Sequence, residues 1–429
     1  MADTEKNLPR HMTAELVAAL SFSRVVNLVG PRQVGKTTLV RDLIDKGEFI
    51  TLDDTAILEA LNADAVGLLE SRMAKIGNQP LIIDEAQRSK ALALAIKRIV
   101  DKDRRMGQFI LTGSSNIFTS ADVADSLAGR VLTLKLWPLT ISEIKQRPSS
   151  QLLDWAVQKT PSLEELPEPD LTTRSDYVDF VLEGGYPEIR EMPIKPRQKQ
   201  YGAYVDTVVD RDVKDVLRIR KTDALRRLID QMAARTSAEV NISSLSTSLQ
   251  IQRQTVEQYL DVLTKLSMVI KLGHWTSGEG KREIKNAKYH FVDTGITCAL
   301  RRFTAETFEL GANPAALGSI MESFIFNEVQ RCLPFQQKGY RLYHWRNRDK
   351  REIDILVDAD THLVGIEVKT AATVKEDDFR HMKWFAKDGP GKSRTVTSVI
   401  FYLGEHKLSF GDRCFALPVS TLWSQTAKP

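Results

Sequence analysis

The sequence predicts an α/β protein whose N-terminal part is a parallel sheet covered by helices on both faces. Five short apolar runs in the first 140 residues alternate with helical patterns, which is typical of repeated strand–helix–strand units. These runs lie within 25–29, 48–54, 79–87, 108–116 and 131–136. A chain of 429 residues is too long for one ordinary domain. We therefore expect roughly two to four domains.

Composition indicates the cellular compartment of the protein and the charge of its surface. Cys298, Cys332 and Cys414 are far apart and match no disulfide or zinc framework, which suits a reducing compartment. The first residues lack the basic and apolar regions of a signal peptide, and nowhere do about 18 apolar residues run together. We expect a cytoplasmic protein that does not enter the membrane. The formal net charge is +4, so any surface for nucleic acid must be a local patch.

The clearest motif lies between the first apolar run and the helical pattern that follows it. It reads Gly-x-x-x-x-Gly-Lys-Thr, which is a Walker A phosphate loop in the required position between strand and helix. Lys36 would reach the β- and γ-phosphates of ATP, and the Thr37 hydroxyl would bind Mg²⁺. The predicted nucleotide-binding residues are Gly30, Pro31, Arg32, Gln33, Val34, Gly35, Lys36, Thr37 and Thr38. This ATPase domain is expected to cover residues 1–145.

A second motif follows at the end of the apolar run 81–83. Asp84 and Glu85 form a Walker B pair, in which Asp84 would hold magnesium and Glu85 would polarise the water that attacks the γ-phosphorus. An Asp-Glu pair after an apolar run is a weak signal alone. Its place 47 residues after Thr37, in the same strand–helix series, makes the prediction specific.

Two further positions are candidates for the same site. The strand within 108–116 ends in Ser114, Ser115 and Asn116, which could contact the γ-phosphate or the attacking water; a plain strand-to-turn transition is the alternative. In P-loop ATPases with an additional strand, this strand lies between the two Walker strands. Arg130 could stabilise transition-state charge from a neighbouring subunit, whereas a lone Arg after Gly is more often a surface charge or part of an ion pair.

The middle of the chain changes character twice. Residues 146–218 are expected to be a lid or helical connector, because 146–174 is rich in Pro, Ser and Glu. Residues 219–275 show the order helix, turn, helix, strand of a winged helix-turn-helix. The segment 211–285 holds 14 Lys or Arg against 9 Asp or Glu, an excess that favours DNA contact. A winged helix that mediates only subunit or domain contacts is the alternative.

The last predicted domain, residues 276–429, contains a second set of reactive side chains. Glu322 lies on an amphipathic helical pattern, Asp354 on a strand, and Glu367 with Lys369 on the next strand in a Glu-x-Lys arrangement. This is the PD-(D/E)XK nuclease pattern, in which three carboxylates gather hard cations and the lysine orients a water. Neighbouring side chains that suit a phosphate backbone are Tyr343, Trp345, Arg346, Arg348, Lys350 and Arg351.

These motifs together resemble a family of prokaryotic P-loop ATPases related to the AAA superfamily, whose C-terminal region is of unknown function. The resemblance spans almost the whole chain and is carried by residues 30–38, 81–87, 111–115, 184–187, 211–213 and 293–295 together with the Glu-x-Lys strand. The core of the C-terminal region is similar to archaeal Holliday-junction resolvases. That similarity implies a nuclease site on Glu322, Asp354, Glu367 and Lys369, all of which are present.

Two functions follow as hypotheses. In the first, the protein is an ATP-driven, ring-forming motor on DNA, with a hexamer and branched DNA favoured, and its nuclease-like domain binds or cuts the substrate. In the second, it is a nucleotide-dependent switch or scaffold whose C-terminal domains bind a protein partner.

Overall fold

The computed structural model describes residues 8–42, 47–114, 129–213, 222–277 and 286–425. The chain divides into two compact units, one made of residues 1–138 with 265–267 and the other of 139–264 with 268–429. Within the described ranges, no helix combines the length and hydropathy needed to cross a membrane.

The first unit contains a five-stranded, wholly parallel sheet in the order β2-β3-β4-β1-β5. Its strands are β1 (Val25–Val29), β2 (Glu48–Thr51), β3 (Leu81–Asp84), β4 (Phe109–Gly113) and β5 (Val131–Lys135). Its helices are α1 (Met12–Phe22), α2 (Lys36–Asp42), α3 (Thr55–Ala63), α4 (Ala65–Ile76) and α5 (Lys90–Lys102). The predicted α/β fold is confirmed, and β4 lies between the two Walker strands as expected.

Burial explains why these runs form a central sheet. Every residue of β1, β3 and β4 is buried, so both faces of the sheet need a cover of helices. Helix α5 supplies part of that cover, because Leu92, Ile96 and Ile99 recur at helical spacing and pack into the core beside the sheet. Because β1, β3 and β4 are parallel, their carboxyl ends lie at one edge of the sheet, where the Walker residues lie.

The second unit is built on an eight-stranded mixed sheet in the order β12-β13-β11-β10-β9-β8-β6-β7. Its strands are β6 (Val269–His274), β7 (Lys288–Phe291), β8 (Arg341–Arg346), β9 (Glu352–Ala359), β10 (His362–Lys369), β11 (Thr395–Tyr402), β12 (Leu408–Ser409) and β13 (Cys414–Pro418). The helices before β6 are α6 (Ile141–Ile144), α7 (Leu152–Ala156), α8 (Arg174–Glu183), α9 (Pro187–Arg190), α10 (Ile194–Thr207), α11 (Thr222–Ala234), α12 (Ile242–Leu249) and α13 (Arg253–Lys265). Those after β7 are α14 (Thr294–Leu300), α15 (Pro314–Cys332) and α16 (Arg380–Lys387).

The strand that was expected to end a separate winged-helix domain joins this sheet. β6 pairs antiparallel with β7 and parallel with β8, where Gly273 faces Tyr343. The predicted domain boundary after residue 275 therefore falls between two paired strands. The elements expected before it are present as α11, α12, α13 and β6, with Asn241 capping α12 by accepting a hydrogen bond from the Ser244 N–H at 2.9 Å.

Residues 146–174 differ from the expected loop or lid. Leu152, Leu153 and Trp155 of α7 are buried in the main core of the second unit, and the carbonyl of Ala156 accepts a hydrogen bond from Thr397 Oγ1 at 2.7 Å. The sequence did not predict this short helix, because its few apolar side chains give no helical period in a segment rich in Pro, Ser and Glu. The segment is part of a folded core.

Candidate functional site

The phosphate loop connects β1 to α2 through a backbone that ordinary residues adopt with difficulty. Gln33 and Gly35 have left-handed φ angles of 60° and 89°. At Gly30 a Cβ would overlap the carbonyl oxygen of Leu136, so only glycine lets the two segments approach. Arg10 braces the loop by donating to the carbonyl of Val34 at 2.7 Å. The loop backbone is thus held in a defined conformation that leads into the N-terminus of α2.

The side chain of Lys36 lies against the phosphate loop. Its side chain is only 8% exposed, and its Nζ donates to the carbonyl oxygens of Gly30 at 3.0 Å and Pro31 at 2.7 Å. An ammonium held by two loop carbonyls is placed where the phosphate loop requires a positive charge. Its contact with the β- and γ-phosphates stays a prediction.

The two predicted magnesium ligands are in direct contact. Thr37 Oγ1 donates to Asp84 Oδ2 at 3.0 Å, and Thr112 Oγ1 donates to Asp84 Oδ1. Asp84 is buried at the carboxyl end of β3. A hydroxyl beside a carboxylate is a donor set of hard oxygens, which fits Mg²⁺ with water and phosphate as its other ligands. These residues fit the ion that the motif implies.

Glu85 and Ser114 are joined by a residue to which the sequence assigned no role. Gln87 Nε2 donates to Glu85 Oε2 and also to Ser114 Oγ, the latter at 3.4 Å. Glu85 has a left-handed φ of 53°, a conformation that is uncommon for a residue other than glycine. Gln87 thus links the predicted water-activating carboxylate to the predicted sensor. Ser115 and Asn116 lie outside the described residues.

The carboxylates predicted in the C-terminal part lie on three elements of the second unit. Asp354 of β9 and Glu367 of β10 are on adjacent antiparallel strands, and Asp354 Oδ2 accepts a hydrogen bond from the Val368 N–H at 3.0 Å. Glu322 approaches them from α15. Both strand carboxylates are buried, so their charges need nearby compensation.

A lysine that the sequence reasoning missed provides that compensation. Lys288 Nζ, on β7, lies 2.7 Å from Glu322 Oε1 and 3.7 Å from Asp354 Oδ1. Burial alone would lower the pKa of Lys288, but the carboxylates of Glu322 and Asp354 outweigh burial and raise it. Across the described residues, no three His, Cys, Asp or Glu side chains are grouped as metal ligands. The predicted three-carboxylate metal site therefore has an ammonium among its carboxylates.

Burial and mutual repulsion shape the remaining charges of this cluster. Burial, followed by the nearby Asp354, raises the pKa of Glu322 to about 8 and that of Glu367 well above its usual range. Glu367 Oε1 is buried and accepts no hydrogen bond from the described residues. Lys369 is more exposed, and its Nζ lies 3.8 Å from Asp378 Oδ1.

The basic hairpin between β8 and β9 is partly occupied by internal contacts. Arg351 stacks on the ring of Trp384 at 4.2 Å, and Arg346 lies 3.6 Å from Glu352. Arg348 and Lys350 are exposed. The predicted residues Tyr343 and Trp345 belong to β8, where Trp345 is buried. A surface for phosphate would therefore centre on the hairpin tip.

Comparison with known proteins finds a match over the part of the chain that contains the phosphate loop. A family model described as an AAA domain matches residues 22–145. The matched residues contain both Walker motifs, so this N-terminal part is similar to AAA-type P-loop ATPase domains. Two further models, each described as a domain of unknown function, match residues 174–307 and 317–422.

Relatives and solved structures extend over more of the chain. An uncharacterized protein of Mycobacterium tuberculosis is 28% identical over 416 residues, which is 96% of this chain and 84% of the relative. An uncharacterized protein of Methanocaldococcus jannaschii is 22% identical over 386 residues, 85% of this chain and 79% of the relative. The Walker-type ATPase of Pyrococcus abyssi has a TM-score of 0.44 and 14% identity, over 70% of this chain and 97% of that one.

Arg130 lies at the amino ends of the strands of the first unit, whereas the phosphate loop lies at their carboxyl ends. It directly precedes β5, which runs parallel to β1 with Val131 beside Val25, so the strand length separates it from the loop after Val29. Its guanidinium forms two hydrogen bonds with Asp101, at 2.5 and 3.2 Å, and hydrogen bonding to Arg130 lowers the pKa of Asp101. Within one chain, Arg130 is an ion-pair residue rather than a ligand of the nucleotide.

Proposed function

We propose that this protein is an ATP-driven motor that acts on DNA, with branched DNA as the favoured substrate. The observation that carries the ATPase part is the assembly of Lys36, Thr37, Asp84, Glu85 and Ser114 around the carboxyl ends of β1, β3 and β4. Residues from separate stretches of sequence meet where a triphosphate would enter the loop.

Each residue has a distinct task in hydrolysis. Lys36 binds the β- and γ-phosphates, and Thr37 and Asp84 would hold Mg²⁺, which neutralises charge on the phosphate oxygens when it is bound. Glu85 accepts a hydrogen bond from the attacking water and polarises it. Gln87 and Ser114 orient the Glu85 carboxylate through the contacts described above.

The proposal of DNA as substrate rests on the second unit. The order of α11, α12, α13 and β6 is that of a helix-turn-helix followed by a strand, and the turn around Gln250 borders an open cavity of about 470 Å³. The exposed Arg348 and Lys350 offer positive charge at the tip of the hairpin between β8 and β9. With no base-reading motif evident, we expect phosphate contacts to dominate and binding to fall steeply as salt rises.

Assembly into a ring of six is part of the same proposal. Because Arg130 is a strand length away from its own phosphate loop, it can serve catalysis only at the loop of a neighbouring subunit. A closed ring would give every subunit such a neighbour. We expect the nuclease-like domain to hold the DNA with weak, structure-dependent or absent cleavage, because a motor gains little from cutting the strand it travels on.

A switch or scaffold for a protein partner is the second candidate. The exposed face of α13, which would enter a DNA groove in a helix-turn-helix, carries Glu257 and Asp261, and Arg253 is paired with Glu257 at 3.0 Å. Acidic side chains on that face oppose contact with phosphate and favour a protein surface.

DNA-stimulated ATP hydrolysis separates these functions. The full chain is incubated with ATP and magnesium, without DNA or with single-stranded, duplex, forked or four-way DNA. We expect hydrolysis that four-way DNA stimulates most, and a Glu85→Gln variant that binds ATP but scarcely turns it over. Asp53→Asn is the matched control, because this exposed acid contacts Arg88 and not the phosphate loop.

The alternatives give different results. Hydrolysis that no DNA stimulates, together with no gel shift on any DNA, would favour the switch or scaffold. Wild-type turnover in Glu85→Gln would show that Glu85 is not the residue that activates water.

A further inference from the structure

Lys288 is the residue of the second unit whose position the nuclease-like pattern does not explain. It is the first residue of β7, all four residues of which are buried. Its backbone is fixed on both sides, because it pairs with Leu272 of β6 and forms an antiparallel bridge to Glu239. The Val240 N–H also donates to the carbonyl of Ala287 at 2.9 Å. The strand therefore delivers the lysine side chain to a defined place.

That place is between the carboxylates expected to bind a metal. Lys288 Nζ contacts Glu322 Oε1 at 2.7 Å and lies 3.7 Å from Asp354 Oδ1. The other oxygen of Asp354 accepts the Val368 N–H. A magnesium or manganese ion bound to the same two oxygens would sit about 2.1 Å from each, within a few ångströms of the ammonium. The two cations would repel each other in a poorly solvated site.

The lysine has little freedom to leave. Its side chain is 7% exposed, and those of Glu322 and Asp354 are 12% and 11% exposed. Withdrawing the ammonium would leave buried carboxylates without a counter-charge, which is more costly than breaking an exposed ion pair. The pair is therefore a permanent part of the folded unit.

We propose that Lys288 is a built-in cation that takes the place of a divalent metal, so that the cluster of Glu322, Asp354 and Glu367 binds no metal ion. The nuclease-like fold then lacks the metal needed for phosphodiester hydrolysis, whatever the concentration of divalent ions in solution. This inference does not depend on whether the protein acts on DNA, because it concerns the occupant of the cluster alone.

Manganese binding tests the inference directly. Binding of Mn²⁺ to the nucleotide-free full chain is followed by the loss of the free-ion EPR signal. We expect wild type and Asp354→Asn to bind the same number of ions. Lys288→Met, which keeps the length of the side chain and removes its charge, should gain one site per chain. We expect its affinity to exceed the wild-type background by about tenfold or more.

Two further variants test whether the gained manganese site is formed by Asp354 and requires the loss of Lys288 in particular. Adding Asp354→Asn to Lys288→Met should abolish the new site. Lys271→Met, which removes an exposed lysine from the neighbouring strand β6, should behave as wild type. A wild-type site that Asp354→Asn abolishes would overturn the inference, and so would a folded Lys288→Met that gains no site. If Lys288→Met does not fold, the comparison of wild type with Asp354→Asn decides the question by itself.

Discussion

Asp293 joins three segments of the second unit, and its removal should destabilise that unit. Its carboxylate accepts hydrogen bonds from the Gly185 N–H at 2.8 Å, the Gly295 N–H at 2.9 Å and the Tyr201 hydroxyl at 3.3 Å. It also lies 3.2 Å from the guanidinium of Arg331. At Gly184 a Cβ would overlap this carboxylate, which explains one glycine of the Gly-Gly-Tyr-Pro motif.

The expected loss of stability follows from these contacts. Asp293→Ala removes the cap of α14, which is worth about 1 kcal/mol, and leaves the buried Gly185 N–H without its acceptor at about 1–3 kcal/mol. Arg331 is 6% exposed and would lose one of its two buried carboxylate partners, since Glu328 stays 3.6 Å away. The cost is therefore below the roughly 3–5 kcal/mol typical of a buried charge that loses its last partner. These terms overlap, and Arg331 keeps bonds to the carbonyls of Leu139 and Val292. We expect a total of about 3–5 kcal/mol.

Urea unfolding followed by tryptophan fluorescence measures this loss. Five of the six tryptophans, Trp155, Trp275, Trp345, Trp384 and Trp423, belong to the second unit, so the signal reports mainly its unfolding. Asp179→Ala is the matched control, because Asp179 is exposed on α8 and should change stability by less than about 0.5 kcal/mol.

A double variant checks the mechanism. Arg331→Met removes the charge that loses one of its two carboxylate partners in Asp293→Ala, so the two changes together should cost less than the sum of their separate effects. A loss below about 1 kcal/mol for Asp293→Ala, or strict additivity with Arg331→Met, would refute the assignment of Asp293 as the link between these segments.

The remaining predictions concern the ring and the dependence of stability on pH. Inactive Arg130→Ala subunits mixed with inactive Lys36→Ala subunits should recover part of the ATPase activity, because a mixed interface pairs an intact arginine with an intact phosphate loop; no recovery at any ratio would argue against donation between subunits. Burial raises the pKa of Glu328 from 4.5 to about 7, so between these pH values the folded state holds a proton that the unfolded state has released. The free energy of unfolding should therefore fall as the pH rises through this window, by on the order of 1–3 kcal/mol from this group. Glu328→Gln should remove that part of the slope in urea titrations at pH 4.5 and 7.5, and an unchanged slope would contradict the raised pKa.

The N-terminal site was predictable because its motifs are local. The Walker A loop needs a strand before it, a helix after it and glycines at fixed positions, all within one short stretch of sequence. The alternation of apolar runs with helical patterns then implies a parallel sheet, in which the carboxyl ends of the strands meet at one edge. The sequence alone therefore pairs Asp84 with Thr37, and the fold places their side-chain oxygens 3.0 Å apart.

Only the tertiary structure decided which side chains from distant segments share a site. Lys288 is 34 residues from Glu322, and Asp293 is 108 residues from Gly185, so neither contact leaves a periodic trace in the sequence. Even Gln87, two residues from Glu85, meets Ser114 only because β3 and β4 are neighbours. Local spacing determines which elements form, whereas strand order and register determine which side chains meet. The side chains that meet then set one another's charges, because the carboxylates of Glu322 and Asp354 keep the buried Lys288 protonated.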